Sequence, residues 1–142
     1  MPRQRLVHDI LATVGKESSR KKKIELLKSE NQNKALVTLM KLTFDDSLVF
    51  DLPEGAPPYK PNELMEREGT SNLQHEIRKM KYFIKGHNTL KPIKRESLFI
   101  EVLEVVHPLE AKLILAVKEG ELPYNGITKK LVSEAFPGLI KS

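Results

Sequence analysis

Two short amphipathic segments near the end of the chain constrain the fold more than any other feature. In residues 107–120 the apolar side chains recur at helical spacing, as Leu109, Leu113, Ala116 and Val117. Pro108 suits the first position of a helix, and Gly120 suits the residue just past its end. Thr128 can cap a second helix, which Pro137-Gly138 ends. Both segments favour an all-α fold.

Helical periodicity also runs through the beginning of the chain. We expect a first helix over residues 3–14, stopped by Gly15. Ser18 or Ser19 caps a second helix, and residues 31–33 separate it from a third. These three helices are expected to form one lobe.

Two more helices are predicted in the second half. Ser71 is expected to cap the fourth, and Pro92 to begin the fifth, whose apolar content predicts the central position in the bundle. The sequence thus predicts a single all-α domain of about six to seven short helices. It divides into a first helical lobe (1–44), a Pro-rich, acidic loop (45–70) and a second helical lobe (71–140).

The loop between the lobes differs in kind from the rest. Four of the nine prolines fall within residues 44–61, so regular structure is not expected there. Residues 48–50 suggest either a brief extended segment or the end of a helix. A loop of this length is either a binding element or an ordered wrap that covers the core with Phe50, Leu52 and Tyr59.

Composition excludes several classes of protein. A hydrophobic content of 39% with 30% charged residues is typical of a folded chain. The absence of cysteine rules out a disulfide scaffold and Cys-based zinc, and it fits a reducing cytosol. The longest apolar runs, such as residues 113–117, fall far short of the ~20 residues that a membrane-spanning helix needs. We therefore expect a cytoplasmic protein (host cytoplasm if a phage encodes it) with no membrane partner.

The net charge of +5 is concentrated in clusters. Eight Lys and Arg residues lie in residues 1–28 and seven in residues 75–95, whereas residues 45–68 are acidic. Clustered bases indicate either solvated helix faces or a surface that binds a polyanion, and two clusters apart from an acidic segment favour the polyanion. The candidate DNA contacts from these clusters are Arg20, Lys21, Lys22, Lys23, Arg78, Lys81, Lys85, Lys94 and Arg95.

A further pair of bases marks the start of the last helix. Lys129 and Lys130 occupy its first turn, where acidic residues are more usual. The first N–H groups of a helix lack partners within the helix, so this end attracts an anion such as phosphate. Lys129 and Lys130 therefore join the candidate DNA contacts.

The two ends of the chain together resemble a known domain. The last two helices, the glycine turn between them and the exit Phe136-Pro137-Gly138-Leu139-Ile140 resemble the close of the all-helical N-terminal DNA-binding domain of phage ATP-dependent DNA ligases. Ile10-Leu11 and the stretch KKKIELLKSENQNKALVTLMKLTFDD resemble its opening. The resemblance covers most of the chain and is poor over residues 46–72.

The resemblance implies a stand-alone DNA-binding domain, as in a small tailed-phage protein. It also implies that Gly126, Ile127 and Thr128 approach the sugar-phosphate backbone along the minor groove. The family often has a basic residue just before this turn, whereas this chain has residues 122–125, Leu-Pro-Tyr-Asn. Either Lys118 substitutes for that residue, or the contact is lost.

Motifs of catalysis are missing from the sequence. A ligase needs a nucleotide-accepting lysine in a Lys-x-Asp-Gly setting, which this sequence lacks. It also lacks a glycine-rich phosphate loop, and its four histidines do not have metal-ligand spacing. Asp45-Asp46 is better explained as a turn or helix cap than as a catalytic pair. We expect no enzyme activity, no cofactor and no metal.

These observations lead to competing hypotheses of function. The first is a non-catalytic protein that binds double-stranded DNA, nicked or intact, through its backbone with little sequence specificity, accessory to phage DNA replication or repair. The second is an adaptor that binds a phage replication or transcription protein through the Pro-rich loop. Binding to RNA or to an anionic membrane surface ranks last, because the helices look core-forming rather than interfacial.

Overall fold

A computed structural model of the protein describes residues 6–61, 72–86 and 89–140. Within these ranges the chain forms seven α-helices and no β-strand. The helices are α1 (Val7–Lys16), α2 (Arg20–Ser29), α3 (Lys34–Phe44), α4 (Leu73–Glu76), α5 (Pro92–Val105), α6 (Pro108–Lys118) and α7 (Lys129–Ala135). A 3₁₀ segment, Ile77–Phe83, continues α4. The prediction of an all-α bundle of short helices is confirmed.

Local sequence determines where several helices begin. Pro92 and Pro108 stand at the first turns of α5 and α6, where the missing N–H has no helical partner to lose. Ser19, Asn33 and Thr128 cap α2, α3 and α7, and each side chain accepts a hydrogen bond from the backbone N–H three residues later. Both prolines, Ser19 and Thr128 take their predicted roles.

The centre of the bundle is α6 rather than α5. α6 packs against α1, α3 and α5, and it buries Ala111, Leu113, Ile114 and Val117. α2 lies against α7. The prediction that the fifth helix is central is wrong, because the central position depends on which helices the topology brings together and not on apolar content alone. Both predicted lobes contribute to one core cluster of buried apolar side chains.

The described part of the Pro-rich loop wraps over the core. Phe50 forms an isolated antiparallel bridge with Ile84, so the short extended interpretation of residues 48–50 is the correct one. Phe50, Leu52 and Tyr59 are partly buried against the core, and the Lys60 N–H donates to the Glu104 carboxylate at 2.7 Å. The loop is therefore an ordered cover through residue 61.

Two predicted helix features differ in the structure. α1 runs through Gly15 to Lys16 instead of stopping at the glycine. A Cβ at Gly15 would lie 3.2 Å from the Cβ of Tyr124. This glycine permits a close contact between segments. The fourth helix is α-helical only over α4, and the 3₁₀ segment that follows buries Ile77, Met80 and Phe83. A 3₁₀ helix aligns side chains three residues apart, which suits this spacing.

Several predictions fall outside the described ranges. They concern residues 3–5 and residues 62–70 of the acidic loop. The predicted starts of two helices are wrong: α1 begins only at Val7, after Leu6 in an extended conformation, and Asn72 rather than Ser71 caps α4, its side chain accepting from the His75 N–H. None of the helices in the described ranges is long and apolar enough to cross a membrane.

Candidate nucleic-acid interface

Lys23 anchors the turn that precedes α7. Its ammonium donates to the backbone oxygen of Asn125 at 3.0 Å and to those of Val14 and Gly15 at 3.2 Å. These three bonds use all the donors of a lysine, and the residue is only 7% exposed. The prediction of Lys23 as a DNA contact is therefore wrong. Lys23 thus connects the start of α2 to the C-terminal end of α1 and to the turn before α7.

Tyr124 ties the same turn to α1. Its hydroxyl lies 2.8 Å from Nδ1 of His8, and the two rings are 5.7 Å apart between centroids. Burial raises the pKa of the Tyr124 phenol well above its usual range, and the carboxylates of Glu110 and Asp9 raise it further. The phenol therefore stays protonated. The turn is thus attached to α1 through Tyr124 and to α2 through Lys23.

A buried carboxylate, Glu110, lies in the first turn of α6. Burial raises the pKa of Glu110 to about 7, and the backbone N–H groups of Val7 and His8 oppose this by hydrogen bonding to it. Asp9 adds a smaller electrostatic contribution that also raises the pKa. Glu110 is 2% exposed, and its Oε2 has no hydrogen-bond partner among the described residues. Glu110 therefore lies inside the protein and not on a surface that could contact a ligand.

The three residues implied by the ligase resemblance have different positions. Gly126 is exposed with a φ of 74°, and a Cβ there would lie 3.0 Å from the Lys23 ammonium nitrogen. Ile127 is 5% exposed, so its side chain belongs to the core and only its backbone remains for a ligand. Thr128 uses its hydroxyl to cap α7, at 3.2 Å from the Leu131 nitrogen. The contact that this turn offers a ligand is therefore mainly through its backbone.

Two basic groups that are distant in sequence meet where α2 packs against α7. Arg20, at the start of α2, forms an ion pair with Glu134 of α7. The hydrogen bond from Arg20 is the main cause of the lowered pKa of Glu134, and the charge of Lys130 lowers it as well. Arg20 and Lys130 therefore both lie near one carboxylate. We define the α2–α7 cationic surface as Arg20, Lys21, Lys22, Lys129 and Lys130.

Most of this charge faces solvent. Lys21, Lys22 and Lys130 are exposed and form no ion pair with any residue in the described ranges. Lys129 pairs with Asp46 at 2.7 Å. Exposed ion pairs contribute little to stability because water screens them, so a phosphate can replace either carboxylate at small cost. The surface can therefore bind a polyanion at several points.

One further base, Lys16, lies at the end of α1, next to the glycine that packs against the turn. Lys16 is exposed and follows Gly15, which contacts the backbone of Asn125. The sequence places Lys16 in the first basic cluster without identifying it as a contact. Its nearness to the turn depends on the close packing at Gly15.

The members of the second basic cluster differ in exposure. Arg95 is 8% exposed, and its guanidinium donates to the backbone oxygens of Asp51 and Leu90 at 2.6 and 2.9 Å. The prediction of Arg95 as a DNA contact is wrong, because it pins the Pro-rich loop to α5. Lys85 and Lys94 are exposed. Arg78 and Lys81 are also exposed, and they border a groove against α3.

Lys118 does not replace the basic residue that precedes the turn in the ligase family. Its side chain is 5% exposed and pairs with Glu119 at 2.8 Å. It lines a cavity of about 140 Å³ beneath the Pro-rich loop, together with Leu52 and Phe99. Residues 122–125 therefore differ from the ligase family in having no basic residue just before the turn. Tyr124 and Asn125 instead anchor the turn.

No group of three His, Asp or Glu side chains in residues 6–61, 72–86 and 89–140 is placed to hold a metal ion.

Comparison with known proteins gives a family without a function. No curated protein matches the chain. A family model described as a family of unknown function, DUF6433, matches residues 10–124, which include most of α1, all of α2–α6 and the anchoring residue Tyr124. Since the match covers well over half of the chain, the protein belongs to the DUF6433 family.

Proposed function

We propose that the protein is a non-catalytic DNA-binding protein that contacts the duplex backbone through the α2–α7 cationic surface. The observation that carries the proposal is the packing of α2 against α7, which brings Arg20 and Lys130 to the same carboxylate, Glu134. Lys21 and Lys22 follow Arg20 in the first turn of α2, and Lys129, which pairs with Asp46, precedes Lys130 in α7. Backbone contacts position a protein without reading sequence, so binding is expected to show little sequence preference.

The rigidity of the turn supports this proposal. Lys23, Tyr124 and the close packing at Gly15 fix the start of α7 relative to α2. Cations held at fixed spacing lose less entropy when they bind a regular array of phosphates than cations on a mobile segment do. The anchoring residues thus contribute to binding through the geometry of the surface.

A duplex suits this surface better than a single strand. Binding of single strands relies on aromatic side chains on which bases stack. Tyr124, the aromatic residue of the turn, is half-buried and its hydroxyl is engaged with His8. The surface therefore offers charge and backbone groups rather than a stacking platform.

The experiment is a titration of fluorescent intact duplex, nicked duplex and single strand with the wild-type protein and two variants. Lys21→Glu/Lys22→Glu reverses two exposed charges of the surface. Lys60→Glu/Lys112→Glu makes the same change in net charge at exposed positions outside it. We expect the first variant to lose at least about tenfold in duplex affinity at low salt, and the second to stay close to wild type.

Equal losses in the two variants would show attraction to net charge alone and would reject the α2–α7 cationic surface as the site. Lack of duplex binding at low salt would reject DNA binding itself. In that case the adaptor hypothesis takes its place, although Phe50, Leu52 and Tyr59 of the Pro-rich loop already pack inward.

A further inference from the structure

A groove of about 320 Å³ lies between α3 and the 3₁₀ segment. Its floor is apolar and includes Val37, Leu48, Met80 and Leu139. Val37, Leu48 and Leu139 are only half-buried, so the floor remains open to solvent. None of the groove's lining residues belongs to the α2–α7 cationic surface.

The rim of this groove is positively charged on both walls. Lys34 and Lys41 come from α3, and Arg78 and Lys81 come from the 3₁₀ segment. The lining residues include no Asp or Glu. Lys34, Arg78 and Lys81 are exposed, whereas Lys41 donates to the backbone oxygen of Leu139 at 3.1 Å and lies 3.5 Å from Asp45. Arg78 also lies 3.0 Å from Nε2 of His75, and the Lys81 ammonium lies 5.2 Å from the centre of the Tyr82 ring. Three of the four cations are thus exposed residues beside an apolar floor.

The spacing of these cations suits a helical ligand. Lys34 and Lys41 are seven residues apart in an α-helix, which places them roughly 10 Å apart along the wall. Arg78 and Lys81 are three residues apart in the 3₁₀ segment, a separation of about 6 Å along its axis. Carboxylates one and two turns apart on a helix have similar separations.

We propose that this groove binds an acidic amphipathic helix of a partner protein. The apolar face of that helix would lie on the floor, with leucine-like side chains against Val37 and Leu48. Acidic residues flanking the apolar face would meet Lys34 and Lys81 on opposite walls. This arrangement is the helix-in-groove mode of recognition, with charge complementarity that selects acidic partners.

Other occupants fit the groove less well. A nucleic acid would place sugars and phosphates over an apolar floor that carries no aromatic side chain for base stacking. A lipid acid has one carboxylate, whereas the cations stand on both walls. The proposal concerns a different surface from the DNA site, so it holds or fails independently of DNA binding.

The test uses a fluorescent peptide of about 14 residues with leucines at helical spacing and glutamates elsewhere. A second peptide has the same composition in an order that destroys the apolar face. Binding is measured by anisotropy for the wild-type protein, for Lys34→Glu/Lys81→Glu at the rim, and for Lys21→Glu/Lys22→Glu on the α2–α7 cationic surface. Circular dichroism and thermal unfolding establish that all three proteins are folded.

We expect the amphipathic peptide to bind wild type saturably and to shift the methyl signals of Leu48, Met80 and Leu139 in NMR spectra. The rim variant should bind it roughly tenfold or more weakly, and the Lys21/Lys22 variant within about twofold of wild type. The same two variants should behave in the opposite way toward duplex DNA. This crossed pattern separates failure of the groove proposal from failure of the DNA proposal.

Several outcomes would overturn the proposal. They are absence of saturable binding, equal binding of the rearranged peptide, and equal binding by the rim variant. Sedimentation that shows a wild-type dimer lost in the rim variant would make the groove a contact between copies of this chain. Competition between duplex DNA and peptide, with loss of both in the rim variant, would assign the groove to nucleic acid.

Discussion

Lys23 stabilises the meeting point of three segments: the end of α1, the start of α2 and the turn before α7. Its neighbours Lys21 and Lys22 are exposed, while Lys23 faces inward with its ammonium on three carbonyl oxygens. Hydrogen bonds from a charged donor to buried acceptors contribute more than exposed ion pairs do. Of the basic run Arg20–Lys23, Lys23 is therefore the residue that contributes most to the stability of the fold.

Replacement of Lys23 by methionine keeps the aliphatic stem and removes the three hydrogen bonds. The carbonyl oxygens of Val14, Gly15 and Asn125 then lose their ammonium partner, and we expect a loss of about 2–4 kcal/mol in the free energy of unfolding. Urea denaturation measures this loss. Lys22→Met is the matched control and should change the stability by less than about 0.5 kcal/mol. A similar effect of both changes would contradict the anchoring role.

Glu110 makes stability depend on pH. Its pKa is raised from 4.5 to about 7 in the folded protein, so between these values the folded state keeps a proton that the unfolded state has released. Stability therefore decreases as pH rises through this window and levels off above it. Ionisation of the buried carboxylate is the cause, and its cost at neutral pH is about 3 kcal/mol at most.

The change Glu110→Gln removes this titration while it keeps a side chain that can accept hydrogen bonds from Val7 and His8. We expect the variant to gain stability relative to wild type as pH rises from 4.5 to about 7. Urea denaturation of both proteins across this range isolates Glu110, because other carboxylates contribute equally to both. A stability difference that is constant with pH would show that Glu110 does not titrate there.

At the scale of elements, α2 begins with charges that oppose its own dipole. Arg20, Lys21 and Lys22 fill its first turn, which has no acidic residue. Ser19 caps the helix by accepting from the Lys22 nitrogen, so a glutamate at position 22 would complete a capping box. We therefore expect α2 to be less stable with the native Lys22 than with a glutamate at this position.

We accordingly expect Lys21→Glu/Lys22→Glu to raise the free energy of unfolding by about 0.5–2 kcal/mol at low ionic strength. Thermal or urea unfolding tests this, with the gain shrinking as salt is added. The same variant is the one expected to lose DNA affinity, so gain of stability and loss of binding should occur together. A destabilised variant would mean that these lysines support the fold.

The elements differ in how far sequence determines them. Proline at the first turn and a capping side chain act within one turn of helix, so Pro92, Pro108 and Thr128 were predictable. Gly15 was mistaken for a helix stop because its role depends on Tyr124, more than a hundred residues away. The 3₁₀ segment was likewise missed, since α-helical and 3₁₀ spacing share the interval of three residues.

At the scale of the whole molecule, the predicted basic residues lie in three different environments. Arg20 and Lys130 meet at Glu134 because α2 packs on α7, and no local pattern encodes that contact. Lys23 and Arg95 are buried. Arg78 and Lys81 instead join Lys34 and Lys41 around an apolar groove. Sequence thus predicted which residue types matter, while tertiary packing decides which of them share a surface.

The most direct test of the central claim is the salt dependence of wild-type affinity for an intact duplex. If three to five cations of the α2–α7 cationic surface neutralise phosphates, the logarithm of the affinity should decrease linearly with the logarithm of salt concentration, with a slope of about −2.7 to −4.5. Unrelated duplex sequences should give the same slope and similar affinities. A slope near zero, or binding confined to one sequence, would contradict the account.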